Sequence, residues 1–179
     1  MNIDKTKYTL PFIIFLLFVF FLWRGLRIDP HHIPSPLVGK SVPEFSVASV
    51  FDAKKMITEK IFSHQVSVLN IFATWCMSCH VEHPQLMKLK QVDSAVQLVG
   101  IAFKDKKRDV LHYLKEAGNP YFAVIDDKTG DVGINFGVYG TPETFVIDQR
   151  GVIRDKITGP ITPEILQYEV LPLLRKLQQ

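Results

Sequence analysis

The sequence predicts an α/β fold, a mixed sheet flanked by helices, preceded by one N-terminal transmembrane helix. Three observations carry this expectation. An uncharged apolar run lies near the N terminus; strand-type and helix-type segments alternate through the middle; and two strand-type runs flank a turn before a last helix.

From Tyr8 to Trp23 there is no charged residue, and Leu10 to Leu22 is almost wholly Leu, Ile, Phe and Val. Lys5 and Lys7 precede the run and Arg24 and Arg27 follow it. As an uncharged stretch it is slightly shorter than the ~17 to 25 residues of a typical spanning helix, so a cleaved signal peptide competes. The flank favours an uncleaved anchor: Leu22-Trp23-Arg24-Gly25-Leu26 offers an interfacial aromatic and a cation, not the small residues of a cleavage site. Pro11 falls near the start of the span, where a first-turn proline is tolerated. Pro30, Pro34 and Pro36 mark a semi-rigid tether, in which His31 and His32 read as solvated linker residues. The expected boundaries are an N-terminal tail 1–7, an anchor 8–24, a linker 25–37 and a globular domain 38–179. Lysines before the span and arginines after it nearly cancel, so charge alone does not orient it.

Within the domain, Val66 to Ala73 is a short β-branched apolar run that suits a strand buried on both faces. A helix is expected from about Cys76 to Val92, and a second buried strand over Val96 to Phe103. Lys107 to Ala117 places Val110, Leu111, Leu114 and Ala117 on one helical face before Gly118 stops it. Thr144 to Ile147 and Val152 to Ile157 flank Asp148-Gln149-Arg150-Gly151, a hairpin pattern. A last amphipathic helix begins near Pro163, with Pro172 kinking or interrupting it. The region Phe45 to Lys60 supplies an added hairpin ahead of the first strand.

The formal net charge is +3, with both signs scattered and no basic block, so nucleic acid is not an expected partner. The chain holds only two cysteines, Cys76 and Cys79, too few for the multi-bridge scaffold of a small secreted protein. They act as a local pair.

A cysteine of ordinary pKa is only about 3% thiolate at pH 7, and the thiolate is the nucleophile. If Cys76 is the first residue of its helix, unpaired backbone N–H groups and the helix dipole stabilise its charge, while Cys79, one turn inward, is more buried. Cys76 then attacks a substrate disulfide and Cys79 resolves the mixed disulfide, with no metal or organic cofactor. A purely structural disulfide is the bland alternative. Closing so short a loop removes only roughly 1.9 kcal/mol of chain entropy, against about 4.7 for a hundred-residue loop, which makes a poor staple.

Two competitors come from His80 and His83. Cys76-Met77-Ser78-Cys79-His80 satisfies CxxCH, the haem-attachment signature, and Cys76, Cys79, His80 and His83 lie at i, i+3, i+4 and i+7, a spacing of metal-ligand types on one helix. The strand-type run leading straight into the motif favours the redox reading over haem. Donors along one helix do not easily surround a zinc ion. A later Thr141-Pro142 is explained by the redox reading alone.

With Trp75-Cys76-Met77-Ser78-Cys79 after a buried strand, Pro84 beyond it and Thr141-Pro142 further on, the domain resembles thioredoxin. Asn119-Pro120-Tyr121, the stretch Gly137-Val138-Tyr139-Gly140-Thr141-Pro142-Glu143-Thr144-Phe145, and Glu82 three residues after Cys79 are similar to the CcmG/DsbE family of cytochrome c maturation. The resemblance implies residues 1–7 in the cytoplasm, an inner-membrane anchor and a periplasmic domain. It implies a reductant that takes electrons from a membrane thiol-disulfide donor and reduces the CxxCH disulfide of apocytochrome c. Met77-Ser78 replaces the family's more familiar Pro-Thr, a pair that tunes the redox potential.

The resemblance also implies roles at the site. Glu82, otherwise a solvated helix carboxylate, would raise the thiol pKa and bias the pair toward reduction. Pro142, otherwise an ordinary trans turn residue, would be cis and expose the Thr141 backbone to an extended substrate strand. Glu143 would belong to the same docking surface, its alternative being a strand-edge charge. Trp75 would shield the pair and contact substrate, or serve only in packing. The expected activity is thus protein-disulfide reduction with apocytochrome c or other maturation components as partners. A general periplasmic reductase and a haem-binding electron carrier are the alternatives.

Overall fold

The apolar run Ser67–Phe72 becomes the centre of the sheet because it is buried on both faces, as its near-continuous hydrophobicity requires. The computed structural model describes residues 3–25 and 35–179. His31 and His32 lie outside the described residues. The chain divides into two compact units, Met1–His31 and His32–Gln179.

In the first unit, α1 spans Ile3–Gly25, and its large apolar side chains from Leu10 to Trp23 are exposed. Pro11 lies well inside this helix rather than in its first turn, because the helix begins before the uncharged run does. Side chains of α1 are described from Thr9 onward, and among the described residues no helix is long and apolar enough to cross a membrane.

In the second unit, β1 (Ser46–Ala48) and β2 (Met56–Thr58) form the expected antiparallel hairpin, followed by a 3-10 turn, Glu59–Phe62. Then come β3 (Ser67–Phe72), α2 (Met77–Val92), β4 (Gln97–Phe103) and α3 (Lys107–Ala117). Next are β5 (Ala123–Asp127), α4 (Asp131–Asn135), β6 (Glu143–Ile147) and β7 (Ile153–Thr158). The five-stranded sheet runs β5-β4-β3-β6-β7. Strands β3, β4 and β5 are mutually parallel, and β6 lies antiparallel to both β3 and β7. This is a thioredoxin-like mixed sheet.

β5 and α4 carry no strong local pattern in the sequence. β5 is short and ends in Asp126-Asp127, and burial comes from its pairing with β4 rather than from length or periodicity. Asp127 then accepts the N–H groups of Val132 and Gly133 at 3.1 and 2.9 Å, which starts α4.

The C-terminal helix begins at Pro163, with Thr162 accepting the Ile165 N–H at 3.2 Å as its N-cap. It widens into a π-helical stretch, Leu166–Val170, before α6, Leu171–Leu177. Pro172 offers no N–H to the preceding turn, and the wide stretch ends beside it.

The alternating side chains of β3 divide the core. Val68 and Phe72 join Leu86, Leu89, Val110, Leu114 and Leu174 under α2, α3 and the C-terminal helix. Leu69 and Ile71 join Phe62, Phe136 and Phe145 on the opposite face. Each fully buried side chain of this size stabilises the fold by roughly 1.5–3 kcal/mol relative to exposure. The face that carries Val68 and Phe72 also carries Asn70, a polar residue in the middle of an apolar strand.

Candidate active site

Where β3 ends, the chain turns through Ala73-Thr74-Trp75 and delivers Cys76 to the start of α2. Asp105 anchors this approach: its carboxylate accepts the Thr74 backbone N–H and, at 3.0 Å, the Thr74 hydroxyl. Cys76 is the N-cap of α2, so the helix starts at Met77, one residue later than expected. The difference matters chemically. An N-cap side chain faces the free N–H groups of the first turn, and the Cys79 N–H donates to Cys76 Sγ at 3.2 Å.

Cys76 and Cys79 are joined in a disulfide. Both are largely buried, at 7% and 3% exposure, so Cys79 is only marginally the deeper of the two. Across from the disulfide, the Thr141-Pro142 peptide bond is cis, and the Thr141 carbonyl oxygen lies 3.4 Å from Cys76 Sγ. These groups are separated by 65 positions in sequence. The β6 strand that follows Pro142 pairs with β3 and thereby brings them together.

Glu82 is fully buried, not a solvated helix carboxylate. The Asn70 amide donates to its Oε1 at 2.8 Å and the Ile161 backbone N–H donates to Oε2 at 3.0 Å. Burial outweighs these two bonds and pushes the Glu82 carboxyl up to about 7. Asn70 also donates to the Thr144 hydroxyl at 3.0 Å and accepts from the Tyr121 hydroxyl at 2.7 Å. Burial, with Glu82 close by, pushes the Tyr121 phenol well above its ordinary range.

Trp75 is 62% exposed, with its indole N–H directed at the Lys104 carbonyl oxygen at a long 3.4 Å. It directly precedes Cys76 in the chain, and most of its surface is open to solvent. Met77 and Val81 on α2 and Tyr139 in the loop before Pro142 are also exposed.

Glu143 requires a correction. Its side chain is buried and contacts the Lys156 ammonium at 2.8 Å, so the carboxylate is not part of an exposed docking surface. Nor is it a strand-edge charge, since β6 lies between β3 and β7. Neighbouring residues on a strand face opposite ways: Thr144 joins the Asn70 network, and Glu143 therefore points to the other face.

His80 and His83 take separate partners. His80 is exposed, with Nε2 2.9 Å from the Thr74 carbonyl oxygen, while His83 is buried with Nε2 3.0 Å from that of Gly118. Burial shifts His83 toward its neutral form. Among the described residues, no cluster of three or more His, Cys, Asp or Glu side chains is placed to hold a metal ion.

Sequence reasoning missed Asn70, Asp105, Tyr121 and Lys156. Asn70 carried a readable signal, an amide inside a strand otherwise built to be buried on both faces. Asp105 sits among Lys104, Lys106 and Lys107 and reads as part of a solvated charge run.

A cysteine pair at a helix start, set against a cis-proline loop on this sheet, is the site of a thioredoxin-like thiol-disulfide oxidoreductase. Residues 37–170 match the Redoxin family. The chain is 39% identical over 178 residues to the thiol:disulfide interchange protein DsbE of Allochromatium vinosum, spanning 99% of this chain and 98% of that protein. It is 40% identical to the DsbE protein of Pseudomonas aeruginosa over 94% of this chain and 92% of that one. A thioredoxin-family thiol:disulfide interchange protein from Chlorobium tepidum shares the fold, with a TM-score of 0.63 over 78% of this chain and 96% of that one, at 23% identity. The chain belongs to the CcmG/DsbE family of thiol:disulfide interchange proteins.

Proposed function

We propose that this chain is a periplasmic reductase, held at the inner membrane by its N-terminal helix, that reduces the CxxCH disulfide of apocytochrome c during cytochrome c maturation. The observation that carries this reading is the buried carboxyl of Glu82 on the helix that Cys76 caps, with a value near neutrality. Relatives named DsbE support the same assignment.

In the reduced protein Cys76 is the nucleophile. The Cys79 N–H that meets its sulfur favours the thiolate, whereas the Thr141 carbonyl on the other side accepts the S–H of the thiol. The two contacts oppose each other and keep the thiolate from being strongly stabilised, which suits a donor of electrons. An extended substrate strand pairs with the Thr141 backbone at the cis-Pro142 edge, with Trp75 covering the exchange. Cys76 then forms a mixed disulfide with one substrate sulfur, and the other leaves as a thiol.

Cys79 must next lose its proton. Glu82, three residues on and so on the same side of α2, accepts it: the carboxylate becomes the neutral acid and Cys79 the thiolate. Cys79 attacks Cys76 Sγ, the bond from Cys76 to substrate breaks, and the second substrate thiolate takes a proton from solvent. Two electrons have passed to the substrate, and the Cys76–Cys79 disulfide has formed. When charged, Glu82 also disfavours a thiolate beside it, which makes the disulfide a weaker oxidant. A membrane dithiol then returns two electrons.

The proposed organisation is a cytoplasmic tail 1–7, an anchor 8–24, a linker 25–37 and a periplasmic domain 38–179. The exposed apolar side chains of α1 support the anchor, since nothing within its own unit covers them.

A Cys79→Ala variant, supplied with apocytochrome c, is expected to accumulate a mixed disulfide through Cys76. Absence of that adduct, or its appearance only through Cys79 in a Cys76→Ala variant, sinks the assignment. A covalent haem absorption band on protein made in haem-attaching cells would replace it with an electron carrier.

A further inference from the structure

Glu143 and Lys156 form a buried ion pair with no part in the chemistry described above. Their side chains are 1% and 5% exposed, and Nζ lies 2.8 Å from Oε2 in an ion contact. The ammonium donates to the Gly137 carbonyl at 2.9 Å and lies 5.3 Å from the ring centroids of both Tyr139 and Phe145. Glu143 Oε1 accepts the Tyr139 N–H at 3.2 Å. On the far side, Ser35, Pro36 and Leu37 complete a small cavity of about 50 Å³ over Lys156.

Three of these contacts, those of Lys156 with Gly137 and Tyr139 and that of Glu143 with Tyr139, end on the loop 137–142, while Glu143 and Phe145 belong to β6, which follows it; the last two residues of the loop put the Thr141 carbonyl 3.4 Å from Cys76 Sγ. By composition the loop is poorly held. Gly137 has φ +63°, Gly140 and Tyr139 are exposed, and neither glycine has a side chain to pack. A buried cation that bonds one end of the loop and grips the acid at the other removes that freedom.

We propose that Lys156 is a positioning residue for polypeptide disulfide exchange: through Glu143 and the Gly137 carbonyl it fixes the loop that holds the substrate-pairing edge at Thr141 beside Cys76. The inference rests on the reading that a substrate strand docks at that edge. It gives Glu143 a role as a strut from inside the fold.

Removing Lys156 alone leaves Glu143 buried and uncompensated, so Lys156→Met is expected to unfold at a lower temperature. The decisive variant is Lys156→Met/Glu143→Gln in the full chain, which removes both charges at nearly constant volume. Two reactions are followed. Dithiothreitol reduces the oxidised protein without docking a polypeptide, and its rate is expected to stay within about twofold of wild type. For a disulfide-bonded peptide of CxxCH type and the reduced protein, KM is expected to rise about tenfold with kcat within about twofold. An unchanged peptide KM, or an equal slowing of both reactions, overturns the proposal. If the wild-type protein exchanges with dithiothreitol but shows no saturable reaction with the peptide, the docking reading fails and the strut fails with it.

Discussion

The side-chain amide of Asn70 donates to Glu82 Oε1 at 2.8 Å, joining the strand that precedes the cysteine pair to the helix that contains it. The bond is wholly buried, and with the Ile161 N–H on the other carboxyl oxygen it gives Glu82 two hydrogen-bond donors inside the core.

The first prediction concerns Glu82 itself. Its folded value of about 7 lies above the ordinary 4.5, so on raising the pH the unfolded chain releases this proton first. Stability is therefore fullest below the ordinary value, falls as pH rises through this window, and has lost the whole contribution above the folded value. Glu82→Gln in the oxidised protein should gain stability relative to wild type by on the order of 2–3 kcal/mol between about pH 4 and about pH 8. Denaturant unfolding at both pH values measures this. A difference that does not change with pH would show that Glu82 is not held near neutrality.

Asn70→Ala should be more damaging than its size suggests. The amide serves Glu82, Thr144 and Tyr121 at once, so the variant strands the Tyr121 hydroxyl and removes a donor from Glu82. A loss of about 2–4 kcal/mol is expected from urea unfolding at neutral pH. A loss below about 1 kcal/mol would mean that water replaces the amide.

Gly100 tests the same network from the other side. A Cβ there would lie 2.9 Å from Phe72 Cε1 and 3.2 Å from Tyr121 Cδ1, two rings stacked at 5.0 Å. Gly100→Ala should destabilise the fold by roughly 1–3 kcal/mol and shift the tyrosine signals in near-ultraviolet circular dichroism. An unchanged unfolding midpoint would show that the stack yields freely.

Trp75 should separate binding from stability. Mostly exposed and held by one long contact, it contributes little to the fold, and Trp75→Ala should cost under about 1 kcal/mol. The KM for a polypeptide disulfide should nonetheless rise several-fold, as measured by steady-state reduction. Unchanged peptide kinetics would return Trp75 to an incidental surface aromatic.

Much of the site was legible from residue order alone. CxxC after a strand buried on both faces fixes a cysteine pair at a helix start, because a chain leaving such a strand must turn before it can begin a helix. Lys107 to Ala117 was readable for a similar reason: helical periodicity and a glycine stop are both local. The strand Ala123–Asp127 was not, since its pairing with Gln97–Phe103 and with the Ser49–Val50 segment, both distant in sequence, distinguishes it from a loop.

The sequence by itself determined the class of chemistry, thiol-disulfide exchange at a local cysteine pair that a buried strand delivers to a helix start. Only the tertiary structure decided which carboxylates face inward and with whom. Glu82 meets Asn70 and Ile161, and Glu143 meets Lys156, through contacts that cross from one element to another. Burial and charge pairing are properties of those crossings. A glutamate reads alike in sequence whether it ends in solvent, in a neutral polar cage or against a buried lysine.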